Sequence, residues 1–131
     1  MEKFKELGLS QGILDAIDAK GISEPTEIQE KTIPLALAGK DIVGGSATGS
    51  GKTLAFSAPI IQNLIPGNYP KAIILTPTRE LAEQVADAFK EFSREHKLRV
   101  TKVYGGVSIN PQIRDLESCD VVVGTPGRIL D

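Results

Sequence analysis

The sequence predicts an α/β fold, a mostly parallel sheet with helices on both faces. Three observations predict it. After Lys40, short β-rich runs alternate with helical stretches, which is the order of βαβ units. A loop rich in glycine and serine, ending in Gly51-Lys52-Thr53, stands between one such run and the next helix. The chain has 131 residues, 40% hydrophobic and 24% charged, the size and composition of one soluble globular domain.

The elements follow in order. Ser10 can cap a first helix whose apolar positions Ile13, Leu14 and Ile17 share a face, and Gly21 can end it. Pro25-Thr26 opens a second helix, where Thr26 and Gln29 have the spacing of a capping box. Gly39 closes it, and Pro34 inside it is expected to bend it. Four strands are expected, at residues 41–44, 71–76, 99–104 and 120–124. Between them lie a helix over 52–64 interrupted at Pro59, a long amphipathic helix over 79–96 and a helix over 111–117. The long helix is expected to turn Leu81, Val85, Ala88, Phe89 and Phe92 inward. A last helix begins at Gly127. Residues 1–40 thus read as a helical region and 41–131 as part of a nucleotide-binding domain. In such sheets ligands bind beyond the carboxyl ends of the strands, so the loops after the strands are where chemistry is sought.

Composition narrows the function. Fifteen Lys and Arg against 17 Asp and Glu give a net charge of −2. The balance is uneven: residues 1–45 carry 5 basic and 8 acidic side chains, and residues 46–131 carry 10 and 9. A nucleic-acid site would have to be a local surface of a few well-placed groups. One cysteine, Cys119, and one histidine, His96, exclude a disulfide framework and the usual Cys/His zinc sites. The apolar runs are far shorter than the roughly 20 residues a membrane helix needs, and the N-terminus lacks a signal-peptide core. These features lead us to expect no membrane association and a cytoplasmic location. Cys119 reads as a small buried apolar group, and His96 as a solvated residue at a helix end.

The loop Ser46-Ala47-Thr48-Gly49-Ser50-Gly51-Lys52-Thr53 reads as a phosphate-binding loop. Small residues let successive N–H groups curl around phosphate oxygens, and the next helix adds its positive end. Lys52 would reach the β- and γ-phosphates, and the Thr53 hydroxyl would ligate Mg²⁺. Ser46 stands where the general pattern has glycine.

Further segments, taken with this loop, resemble the DEAD-box helicases. Gly21-Ile22-Ser23-Glu24-Pro25-Thr26-Glu27-Ile28-Gln29 resembles that family's adenine-reading Q motif, and Phe4 lies 17 residues before Gly21, where the family places a lone aromatic. Ala47-Thr48-Gly49-Ser50-Gly51-Lys52-Thr53 is the helicase form of the phosphate loop. Pro77-Thr78-Arg79-Glu80-Leu81-Ala82 resembles motif Ia, Gly105-Gly106 the glycine doublet, and Thr125-Pro126-Gly127-Arg128 motif Ib. The matches run in family order over nearly the whole chain. The resemblance implies a RecA-like sheet, ATP and Mg²⁺ as ligands, and RNA as partner.

A glutamine amide can pair bidentately with adenine N6 and N7. Gln29 would therefore favour ATP over GTP, with Phe4 stacking on the ring, although Gln29 also serves the capping box with Thr26. Pro77, Thr78, Arg79, Gly105, Gly106, Thr125, Pro126, Gly127 and Arg128 would meet the RNA backbone through guanidinium, hydroxyl and N–H groups. Arg79 could instead pair with Glu83, and Thr125-Pro126-Gly127 could be an ordinary capped turn. No Asp-Glu pair occurs in the chain, whereas the family's namesake motif supplies the acids that hold Mg²⁺ and position water. The chain is therefore expected to be a truncated first domain with little ATPase activity of its own. The alternatives are a non-catalytic nucleotide-binding module and part of a DNA-acting relative. A sheet lacking later strands would leave an apolar face, which a homodimer or strand-swapped assembly would hide.

Overall fold

The computed structural model describes residues 1–45, 51–65, 70–105, 109–116 and 118–130. The chain divides into two compact units, Met1–Asn63 with Glu91–His96, and Leu64–Lys90 with Lys97–Asp131.

The first unit is helical: α1 (Glu2–Glu6), α2 (Gln11–Ala19), α3 (Glu27–Leu37) and α4 (Lys52–Asn63). Its core holds Phe4, Ile13, Ile17, Ile33, Ala58 and Ile61, all without exposed surface. Ser10 occupies the cap position of α2, but its hydroxyl is buried without a hydrogen bond. The turn is fastened from α4 instead. Gln62 Oε1 accepts the Ser10 N–H at 2.7 Å, and Gln62 Nε2 donates to the Gly8 carbonyl at 2.8 Å. Gly21 follows α2 with φ +81°, as its expected role as terminator requires. Helices α3 and α4 pack on each other, and Asn63 Nδ2 donates to Leu37 O at the end of α3.

Two expectations are corrected in this unit. Helix α4 runs unbroken through Pro59 and ends at Asn63. The ring removes one backbone donor, yet Leu54, Ala55, Ala58, Pro59 and Ile61 are all buried, and that burial holds the helix together. Residues 41–44 form no strand. A β-branched run becomes a strand only with a ladder partner, and none pairs with it among the described residues. Ile42 stands open and Val43 is fully exposed.

The second unit holds β1 (Ala72–Leu75), α5 (Arg79–Phe92, within this unit to Lys90), β2 (Val100–Val103), α6 (Ile109–Leu116), β3 (Val121–Gly124) and α7 (Pro126–Ile129). The sheet is parallel, as expected, but has three strands rather than four among the described residues, in the order β1-β3-β2. The central strand β3 is buried on both faces, which its Val121-Val122-Val123 run anticipates. Val122 packs with Val103, Cys119, Leu116 and Ile129, so Cys119 is the small buried apolar group the sequence implies. Burial raises its thiol pKa.

Helix α5 stops at Phe92, not at residue 96. The next residues, Ser93 to Lys97, include no apolar side chain to extend the buried stripe, and Lys97 turns to φ +53°. That stripe is Ala82, Val85, Ala86, Phe89 and Phe92. Leu81 lies outside it and is exposed, and Ala88 is only half-buried. Helix α6 spans Ile109–Leu116 rather than 111–117.

Candidate functional site

The residues the sequence suggests for nucleotide binding, among those described, lie in the first unit. Gln29 is the third residue of α3 and is 3% exposed. Its Oε1 accepts the Thr26 N–H at 2.9 Å, forming the side-chain arm of the capping box, and its Nε2 donates to Gly51 O at 3.1 Å. One amide therefore joins the start of α3 to the residue that precedes α4. Each amide atom keeps further capacity, a second lone pair on Oε1 and a second hydrogen on Nε2. The Thr26 hydroxyl faces the Gln29 N–H in capping-box fashion, but no bond of good geometry reaches it, and Oγ1 is buried without a partner.

Gly51 has φ +86°. A Cβ there would stand 3.1 Å from both Gln29 Cδ and Thr26 Oγ1 and would collide with Gln29 Nε2. Only glycine meets both conditions. Lys52 is exposed at the first position of α4 and Thr53 is half-buried beside it. Ala47, Thr48, Gly49 and Ser50 lie outside the described residues. Phe4 is 0% exposed within the core, so it offers no open ring face in this arrangement. A groove of about 540 Å³ runs along α3 and α4, lined by Ile28, Thr32, Ile42, Lys52, Phe56 and Ile60 among others. Apart from Lys52 no motif pointed to it, since most of its lining comes from residues spread over three segments. Among the described residues no cluster of three His, Cys, Asp or Glu could hold a metal.

The residues the sequence suggests for contact with the RNA backbone, among those described, lie in the second unit. The parallel register aligns Leu75, Gly124 and Val103 across the sheet. The three following segments, 76–79, 104–105 and 125–128, therefore leave the same end. Pro77, Thr78, Arg79, Gly105, Pro126 and Gly127 are exposed, and Thr125 and Arg128 half-buried. Gly106 lies outside the described residues. Thr78 caps α5, its Oγ1 accepting the Leu81 N–H at 3.2 Å. Thr125 occupies the cap position of α7, with Pro126 in the first turn.

Arg79 forms no ion pair with Glu83 at bonding distance, although its charge contributes to lowering the Glu83 pKa. Its guanidinium lies 4.8 Å from the centroid of the Tyr104 ring, a cation–π distance. Glu83 instead accepts from Lys102 Nζ at 2.8 Å and from the Tyr104 hydroxyl. The Lys102 and Tyr104 bonds hold its carboxyl below the ordinary carboxylate pKa, and Glu83 raises that of Lys102. Gln112, 7% exposed, donates through Nε2 to Tyr104 O at 3.1 Å and accepts from Arg128 Nη1 at 3.5 Å. Sequence reasoning missed Tyr104 and Gln112. The neighbouring Ile113 is exposed while Gln112 is buried, so hydropathy pointed the wrong way.

A family profile for the DEAD/DEAH box helicases matches residues 26–131. The chain belongs to this family. The DEAD-box chain is 52% identical over 129 residues to a probable ATP-dependent RNA helicase of Methanocaldococcus jannaschii, covering 98% of this chain and 35% of that protein. It is 50% identical over 129 residues to the RNA helicase CrhR of Synechocystis, covering 98% of this chain and 26% of the relative. Among solved structures, a DEAD box protein from Methanococcus jannaschii superposes with a TM-score of 0.94 at 52% identity, over 98% of this chain and 36% of the other. Dbp5 of S. cerevisiae, in a structure bound to RNA and ADP BeF3, gives 0.86 at 36% identity, over 98% and 33%. The DEAD-box chain thus spans only 26–35% of the curated relatives' length, and its three parallel strands are part of a RecA-like sheet.

Proposed function

We propose that this chain binds ATP through its first unit and the backbone of RNA through its second, as part of an ATP-dependent RNA helicase. The observation that carries the nucleotide reading is Gln29, a buried amide joined to both Thr26 and Gly51. It sets a purine-reading edge beside the end of the phosphate loop. The unpartnered Thr26 hydroxyl is a further polar group that a nucleotide would satisfy. Lys52 would hold phosphate charge, and Thr53 would offer a hydroxyl to a phosphate-bound Mg²⁺, which keeps much of its shell as water and phosphate oxygen. Ala47, Thr48, Gly49 and Ser50 would supply backbone N–H groups. Phe4 would stack on the base only if α1 moved.

The RNA reading rests on three loops leaving one end of a parallel sheet with two arginines among them. Few cations and many backbone groups suit recognition of the backbone rather than of sequence. RNA is preferred to DNA because the relatives are named as RNA helicases. Exposed Ile73 and Leu75 on the edge strand β1 support self-association of the chain.

Calorimetry with ADP and GDP tests the nucleotide reading. ADP is expected to bind at least about tenfold tighter, a difference near 1.4 kcal/mol, and Gln29→Ala is expected to erase the preference. Equal affinity for the two, or none for either, overturns it. RNA and DNA oligonucleotides of one sequence separate the RNA reading from a DNA-acting relative. Because the chain contains no Asp-Glu pair, it is expected to bind nucleotide without measurable turnover, and RNA-stimulated hydrolysis by the chain would refute that.

A further inference from the structure

Gln112 is a buried polar residue on α6, the helix that follows one of the loops it touches and precedes the other. Its amide has two ends and both are used across segments. Nε2 holds the carbonyl of Tyr104, the residue directly before Gly105, and Oε1 receives Arg128 Nη1. The Tyr104 ring in turn lies under the Arg79 guanidinium, and its hydroxyl is anchored on Glu83. Tyr104 and Gln112 are therefore the junction at which all three candidate backbone-binding segments meet.

We infer that Gln112 is a positioning residue for RNA binding: its carboxamide ties the Tyr104–Gly105 turn to Arg128, so that the loops after β2 and β3 present one surface to the RNA backbone. The inference rests on the RNA reading proposed above. The physical argument is one of preorganisation. A free arginine side chain loses up to about 2 kcal/mol of rotamer entropy when it is fixed on a phosphate. An arginine already held at one nitrogen has part of that ordering complete. The Tyr104 carbonyl matters equally, because fixing it orients the peptide that leads into Gly105.

The test is fluorescence anisotropy of the whole chain with a short fluorescein-labelled oligouridylate, titrated over a range of salt. Gln112→Met removes both hydrogen bonds at similar volume and no charge. It is expected to weaken binding about fivefold, the effect of one typical hydrogen bond. It should also reduce the salt slope by about 0.7, the value for one phosphate contact on a single strand. Added to Arg128→Ala, it should cost no more than about twofold. A merely structural glutamine would give the same loss in both backgrounds and leave the slope unchanged, which overturns the inference and spares the RNA reading. If Arg128→Ala and Arg79→Ala both bind as the parent does, the RNA reading falls and the inference with it. Should Gln112→Met fail to fold, Arg128→Lys decides. It keeps the charge and loses the nitrogen that reaches Gln112, so a several-fold loss is expected and unchanged binding overturns the inference.

Discussion

Gly51 stands where two constraints coincide, and replacing it with alanine separates them. The first is conformational. At φ +86° an alanine costs about 1–2 kcal/mol. The second is steric, since the new methyl would occupy space held by the Gln29 amide and press on Thr26 Oγ1. Gln29 would have to leave, giving up its bonds to Gly51 O and to the Thr26 N–H. Each is worth about 0.5–1.5 kcal/mol. Gly51→Ala is therefore expected to destabilise the chain by about 2–5 kcal/mol. In a Gln29→Ala background the side chain in the way is already gone. There the same replacement should cost little beyond the conformational part, about 1–2 kcal/mol, since only the contact with Thr26 Oγ1 remains. Urea unfolding of the parent, both single variants and the double variant measures the difference as a coupling energy, expected at about 1–3 kcal/mol. Equal costs in the two backgrounds would refute the contact between Gln29 and Gly51, and with it the support for the proposed purine-reading role.

Three further outcomes are expected. Asp120, 1% exposed, accepts the Arg99 backbone N–H at 2.9 Å and side-chain bonds at 3.2 and 3.1 Å. Asp120→Ala should cost about 2–3 kcal/mol in urea unfolding, since the half-exposed Arg99 recovers some hydration, and Asp120→Asn should cost less. Glu83 has a pKa lowered from 4.5 by Lys102 and Tyr104. Its contribution is therefore fully present above the unfolded value and is lost as pH falls through the folded one. Thermal melts of Glu83→Gln should differ from the parent near neutral pH, and the gap should close below pH 4.5. A gap that widens on acidification would reverse the assignment. Finally, Leu75→Lys on the exposed edge strand should reduce concentration-dependent association in sedimentation velocity, as charge on an edge opposes strand addition.

What the sequence made legible followed from local chemistry. The helices α2 and α3, the strands at 72–75, 100–103 and 121–124, and the parallel class all came from periodicity and turn residues. Where the reading failed, a tertiary condition outweighed a local one. Residues 41–44 have strand composition but no ladder partner among the described residues, and pairing is not a property of a tetrapeptide. Pro59 has a breaker's ring, yet it sits on a buried helical face whose packing outweighs one lost bond. The last turn of the long helix has acceptable propensity but no apolar residue to hold it.

The candidate site divides along the same line. Gln29 was legible because the capping-box spacing and the proposed purine-reading role both fall on that residue, and its two bonds leave amide capacity over for the second. Arg79 and Arg128 were legible as loop cations, but their partners were not. Helical spacing assigned Glu83 to Arg79, whereas the structure gives Arg79 the Tyr104 ring from across the sheet and leaves Glu83 to Lys102. Such partners depend on strand order, and the order β1-β3-β2 is not the order of the chain. Because β3 inserts between the other two strands, Arg128, at its end, leaves the sheet between Arg79 and Gly105. A polar residue that links those loops must come from a crossover helix, and Gln112 on α6 meets that requirement despite the hydropathy of its own turn. The residues that would make contact were therefore readable in one dimension. Those that arrange them become identifiable only once the strand order is known.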